Sequence, residues 1–184
     1  MSPHRALAAA LAATLAACAT SPSAAAPAID PPGLPGFGGL FRGTLRMFGA
    51  EGERTVAMGL DVLPADGAPG EFTWRLRYGE GDAGQVRDYR LQVLDAAAGR
   101  YQIDEQNGIV LAARRFDDEL VSLFAGGDQL LFVRYRAVPA GIAFALESCA
   151  PQAGTPTGQG VRSIAEFGCQ RGILVRLPAA AAAR

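Results

Sequence analysis

The feature that most constrains this chain is a residue-by-residue alternation of apolar and polar side chains between Arg87 and Ala113. Tyr89, Leu91 and Val93 are interleaved with Asp88, Arg90 and Gln92, and Tyr101 and Ile103 flank Gln102. An extended chain puts such residues on opposite faces, one for a core and one for water, whereas a helix would scatter them around its circumference. The two segments are joined through 96–99, and the second leaves through Asn107-Gly108 into Ile109 and Leu111. Asn-Gly tolerates the positive φ of a type I′ turn, so the stretch predicts an antiparallel meander with a tight hairpin at 107–108.

The same period recurs on both sides. Phe41, Leu45 and Met47 alternate with Arg42, Thr44 and Arg46, and Val56, Met58, Leu60 and Val62 with Thr55, Ala57, Gly59 and Asp61. Phe72, Trp74, Leu76 and Tyr78 alternate with Glu71, Thr73, Arg75 and Arg77. Turn formers at 64–67, 79–84, 126–128 and 139–141 punctuate the series, and further strands are expected at 120–124, 130–138, 142–147 and 172–177. Only 95–98 and 161–167 hint at a helical period. A chain of 184 residues with 49% hydrophobic content can bury one core. About eight to ten hairpin-connected strands, each with one apolar face, must close into a barrel or split into a sandwich. Closure removes exposed edges and suits sequential hairpins, so the expectation is a single all-β, up-and-down antiparallel barrel over 39–178.

The chemistry is narrowed by what is missing. A net charge of −1 and a pI near 5.8 offer no basic surface for nucleic acid. All 17 basic residues are Arg, and the single His is His4, inside a leader expected to be removed. Without imidazole the remaining chain cannot run a Ser-His-Asp or Cys-His mechanism, nor offer the usual nitrogen ligand to haem or zinc. Asp104 and Glu105 are neighbours on a strand, point to opposite faces and cannot flank one bond. Asp117-Asp118-Glu119 lacks the spaced oxygen ligands of a calcium loop. The glycines of 33–39 neither follow a strand nor open a helix, so they are no phosphate cradle. No catalytic residue, metal ligand or cofactor is assigned.

Parity does nominate a binding site. Glu105 shares a face with Tyr101 and Ile103, so if Tyr101 faces the barrel interior, Glu105 does too, near the mouth. There a carboxylate can meet the polar head of a ligand, with Trp74, Tyr78 and Tyr89 as apolar walls. The plain alternatives are a packed aromatic core and a Glu105 that caps the 107–108 turn or pairs with an arginine.

The N-terminus carries an address. Residues 1–17 combine a short polar start with an apolar run of about a dozen residues, too short for a spanning helix and suited to a secretory signal. The run ends in Leu15-Ala16-Ala17-Cys18, which resembles the lipobox of bacterial lipoproteins. That resemblance implies diacylglyceryl attachment at Cys18 and N-acylation, and two or three acyl chains anchor a protein stably where one does not. Ala19 follows the cysteine in place of an aspartate, which points to the outer membrane, facing the periplasm. Residues 18–38, rich in Ala, Pro, Ser and Gly, read as a flexible tether, and 179–184 as a frayed tail.

Three segments carry a second resemblance: Trp74-Arg75-Leu76-Arg77-Tyr78, Arg87-Asp88-Tyr89-Arg90-Leu91, and the Y-x-I-D-E-x-N-G-I run from Tyr101 to Ile109. Over residues 40–148 the chain is similar to bacterial envelope lipoproteins with a lipocalin-like, or calycin-type, barrel. The likeness implies the fold and the envelope address, and no activity for any residue. It departs from true lipocalins at Gly39-Leu40-Phe41, where a Gly-x-Trp would stand.

In an exported chain with Cys18 acylated, Cys149 and Cys169 are the two remaining thiols, and they are expected to pair, closing a loop of about 20 residues. Two readings of function follow. The first is a lipid-anchored barrel holding a small apolar or amphipathic ligand; the second is a non-enzymatic interaction module, an inhibitor or envelope-assembly accessory, that engages an envelope protein through the loop 150–168.

Overall fold

The computed structural model describes residues 28–80 and 84–178. The signal at 1–17, the lipobox Cys18, most of the tether and the tail at 179–184 lie outside the described residues.

The alternating segments become strands: β1 (Gly39–Gly49), β2 (Gly52–Val62), β3 (Glu71–Tyr78), β4 (Gln85–Asp95), β5 (Arg100–Asp104), β6 (Val110–Phe116), β7 (Glu119–Gly126), β8 (Gln129–Val138) and β9 (Gly141–Cys149). A two-stranded ribbon, β10 (Thr155–Gly158) and β11 (Val161–Ser163), precedes β12 (Phe167–Arg176). Ten strands form one closed antiparallel barrel in which chain neighbours pair and β12 closes the wall between β9 and β1. This is the all-β, up-and-down architecture that the alternation predicts, and it is compatible with a lipocalin-like barrel.

Parity assigns the faces as expected. Phe41, Leu45, Leu60, Trp74, Leu91 and Leu174 all point inward and are fully buried. The outer wall is charged over β1–β4. Asp61 is on that wall yet only 5% exposed, because Arg42 (2.5 Å) and Arg77 (3.0 Å) lie over its two carboxylate oxygens.

The two barrel ends are built differently. At one end are the β1–β2, β3–β4, β5–β6 and β7–β8 hairpin turns and the segment 150–166; at the other are the loops 63–70, 96–99, 117–118 and 139–140. That second end is closed by residues 31–38, the last part of the stretch expected to be a tether. Leu34 and Phe37 are each 1% exposed and belong to the barrel core. Two consecutive Pro-Gly turns achieve this. Gly33 and Gly36 adopt φ of +77° and +81°, and Leu34 N donates to Pro31 O (2.9 Å) and Phe37 N to Leu34 O (3.3 Å). Proline then glycine at the central positions is type II turn chemistry, and each turn aims the following apolar side chain inward. Five further hydrogen bonds hold the plug. The Asp30 carboxylate accepts from Gly36 N (2.8 Å) and Gly38 N (2.6 Å), Tyr101 donates to Pro32 O (2.8 Å), and Arg176 donates to Gly36 O (2.7 Å) and to Gly38 O.

Other expectations change in detail. The β5–β6 hairpin has five linking residues rather than an Asn107-Gly108 pair; its positive φ values fall on Gln106 (58°) and Gly108 (94°). Side chains explain it, since Asp104 accepts from Gln106 N (2.7 Å) and Asn107 from Ile109 N (3.0 Å), a local alternative to the tight turn. Positive φ at both central residues, as a type I′ turn requires, occurs instead at Gln159 (50°) and Gly160 (77°), between β10 and β11. The hints of helix at 95–98 and 161–167 resolve into a turn, a short strand and coil.

The disulfide is not formed: Cys149 and Cys169 are free thiols. Register is the reason. Cys149 faces Phe167 across the β9–β12 pair and Cys169 faces Glu147, so the cysteines are diagonal rather than opposite. Diagonal neighbours lie roughly 7–8 Å apart, beyond what a disulfide spans without backbone movement. Arg171 occupies the Cys169 sulfur instead, donating from Nη2 at 2.9 Å and Nε at 3.2 Å.

Candidate functional site

With one end plugged, the barrel interior opens only toward the hairpin end, where a cavity of about 170 Å³ reaches down to Trp74. Four of the five nominated binding residues line it: Trp74, Tyr78, Tyr89 and Glu105. The strand pairing explains the grouping. Trp74 on β3 is the register partner of Tyr89 on β4, and Glu105 follows Tyr101 and Ile103 in parity past the end of β5. The fifth, Tyr101, also faces inward but lies at the plugged end, where its hydroxyl holds Pro32 O; it is a tie for the plug, not a wall of the cavity.

Sequence reasoning missed Arg87. It shares the parity of Tyr89 and Leu91, so carrying the β4 alternation two residues toward its start would have found it. Its guanidinium stands over the Tyr78 ring, 5.3 Å from the centroid, and beside the cavity rim. Beyond the rim the space widens into a vestibule of about 640 Å³, bounded by Met47, Arg54, Gln85, Arg87, Ser148 and Gln170.

The floor is aromatic. Trp74 meets Tyr135 edge-to-face at 4.9 Å, Tyr135 meets Phe144 at 5.2 Å, and Phe37 of the plug stacks beneath Trp74 at 6.3 Å. The Trp74 indole N–H is buried with no hydrogen-bond partner. Burial raises the ionisation of Tyr135 far above the usual tyrosine range. Burial also raises Tyr78, against the pull of Arg87, and raises Tyr89, with the Glu105 carboxylate adding to it and Arg87 opposing. At neutral pH these hydroxyls are therefore protonated donors. Glu105 itself receives a long hydrogen bond of 3.4 Å from Asn107 Nδ2, so the turn-capping role is weakly present, and among the described residues it is in no salt bridge.

An arrangement of this kind can hold and orient a ligand. Among the described residues no three His, Cys, Asp or Glu side chains gather to hold a metal ion. No protein family, no curated protein sequence and no solved structure matches this chain.

Proposed function

We propose that this protein is a lipid-anchored barrel of the bacterial envelope, facing the periplasm, that holds a small apolar or amphipathic molecule. One observation carries the reading: a barrel closed at one end by its own chain keeps a cavity at the other, floored by aromatics and rimmed by Arg87 and Glu105. Packed barrels of similar size are filled by their own side chains, so an open interior favours an occupant. The lipobox at Cys18 supports the membrane address. Native mass spectrometry of the purified protein is expected to show a co-purifying small molecule. A mass matching the apo chain under every gentle condition, with no response of Trp74 fluorescence to any apolar probe, would remove the reading. Partitioning into detergent that disappears in Cys18→Ser tests the anchor.

A second reading rests on the ribbon β10–β11. Val161 and Phe167 are each 60% exposed, and Ile164 joins Leu130, Phe132 and Phe167 around an external groove of about 180 Å³. Such a surface suits an envelope protein partner. Deleting 155–163 and recovering the same co-purifying proteins would count against it.

A further inference from the structure

Resting on the cavity reading above, we infer that the occupant is an acid carrying a single aromatic ring, its ring against Trp74 and its anionic group between Arg87 and Arg54 in the vestibule.

Size sets the first limit. A dry apolar cavity of roughly 150 Å³ admits one benzene ring, and this one, at about 170 Å³, has the same capacity. It cannot lengthen downward, because Phe37 is stacked under Trp74 and the plug closes the barrel below; only the part of an occupant that extends into the vestibule escapes this limit. Shape comes next. Trp74, Tyr78, Tyr89, Phe124, Tyr135 and Phe144 all contribute to the lining, and rings pack against rings at offset or edge-on angles that a flexible chain does not exploit.

Charge sets the polarity of the other end. The cavity and vestibule are lined by two guanidinium groups, Arg87 and Arg54, and one carboxylate, Glu105. Among the described residues neither arginine is in a salt bridge, whereas Arg42, Arg46, Arg75 and Arg77 on the outer wall are all paired. Guanidinium at the rim of a low-dielectric cavity, with donors spread in a plane, is suited to a carboxylate. Glu105 stands on the same rim just past the end of β5, so an anion at the mouth is favoured on the side of β2 and β4, where Arg54 and Arg87 stand.

The chain has one Trp, and it lines the site, so its fluorescence reads occupancy directly. The full chain is titrated with 3-phenylpropionate, with its uncharged counterpart 3-phenyl-1-propanol, and with dodecanoate. The acid is expected to bind at least tenfold more tightly than the alcohol and than dodecanoate. Arg87→Gln is expected to abolish the preference for the acid by weakening the acid far more than the alcohol, and Arg54→Gln to reduce it in part. An unchanged urea midpoint for both variants, together with a retained fluorescence response to the alcohol, excludes misfolding as the cause. Equal binding of acid and alcohol, or an acid preference that survives Arg87→Gln, overturns the anionic assignment and leaves the cavity reading standing. Tighter binding of dodecanoate overturns the single-ring assignment in the same way. No response to any of the three overturns both.

Discussion

The two ends of this barrel are made from the same alternating strands and do opposite things. At the plugged end, residues 31–38 fold back into the lumen, bury Leu34 and Phe37, and satisfy their backbone through Asp30, Tyr101 and Arg176. At the hairpin end no described segment lies in the lumen, and Arg87, Tyr89 and Glu105 stand around an opening. The inward faces are similarly aromatic at both ends, so hydrophobic pattern alone does not decide which end is a core and which a site. What decides it is whether a neighbouring piece of chain can turn sharply enough to cover the apolar face. Two Pro-Gly turns do so at one end, and at the other no residue of the segment 150–166 lines the cavity.

The largest effect is expected from emptying the plug. Phe37→Ala removes a fully buried ring that stacks on Trp74, and deletions of that size in a core cost about 3–5 kcal/mol. Urea unfolding is the measurement. A loss under about 1 kcal/mol would mean that the segment lies on the barrel rather than in it, and that the ends do not differ as described. The variant also lets the cavity run deeper, so a longer apolar probe should begin to bind where it did not before.

Gly33→Ala tests the turns rather than the ring. Gly33 has φ of +77°, and a Cβ there would overlap the Tyr101 hydroxyl and crowd the Ala96 carbonyl. An alanine held in the left-handed region costs about 1–2 kcal/mol, and the displaced Tyr101 bond adds about 1 more. By contrast, Gly108→Ala at the hairpin end has φ of +94° but nothing within reach of its Cβ, so only the backbone strain is expected.

Much of this was legible in the sequence, and the exceptions have physical causes. Period-two alternation identified nearly every strand and its inward face, because side-chain direction in a strand is a local property. The same parity placed Trp74, Tyr78, Tyr89 and Glu105 in one lumen. It could not say how far along the lumen each would lie, and so grouped Tyr101 with them although it sits at the opposite end. That distance depends on register and closure, which are set between strands. The plug was misread because Pro and Gly content resembles a linker; the spacing of Leu34 and Phe37, each directly after a turn dipeptide, was the available signal. The thiols were misjudged by a two-residue offset in the register of β9 and β12, which no spacing in the chain reveals.

A pair of tyrosine substitutions sharpens the contrast at lower amplitude. Tyr101→Phe removes the donor of a part-buried hydrogen bond to the Pro32 carbonyl and should cost about 1 kcal/mol of stability. Tyr89→Phe, at the open end, should leave the urea midpoint within about 0.5 kcal/mol of the wild type and change probe binding instead. If both substitutions lowered stability equally, the open end would be as much a part of the packed core as the plugged one.

The smallest expected effect is one in which the two ends agree. Asp95, in the turn between β4 and β5 at the plugged end, is held below the usual carboxylate range by the Ala98 N–H and then by Arg100. Asp88, on β4 toward the open end, is held down by its two bonds to Arg75. A carboxylate with a lowered folded value contributes stability above its unfolded value of 3.8 and loses it as the pH falls below that through the folded value. Both groups are solvated, so the Asp88 contribution is a fraction of a kcal/mol, as for exposed ion pairs generally. Asp88→Asn and Asp95→Asn are therefore expected to be slightly less stable than wild type at pH 7, with both gaps closing as the pH is lowered toward 2. Because these carboxylates are on the solvent side of the wall, neither gap should depend on whether the lumen behind it is filled. A gap at Asp95 that vanished in the Phe37→Ala background while the Asp88 gap persisted would show that the plug reaches through the wall to the turn outside it.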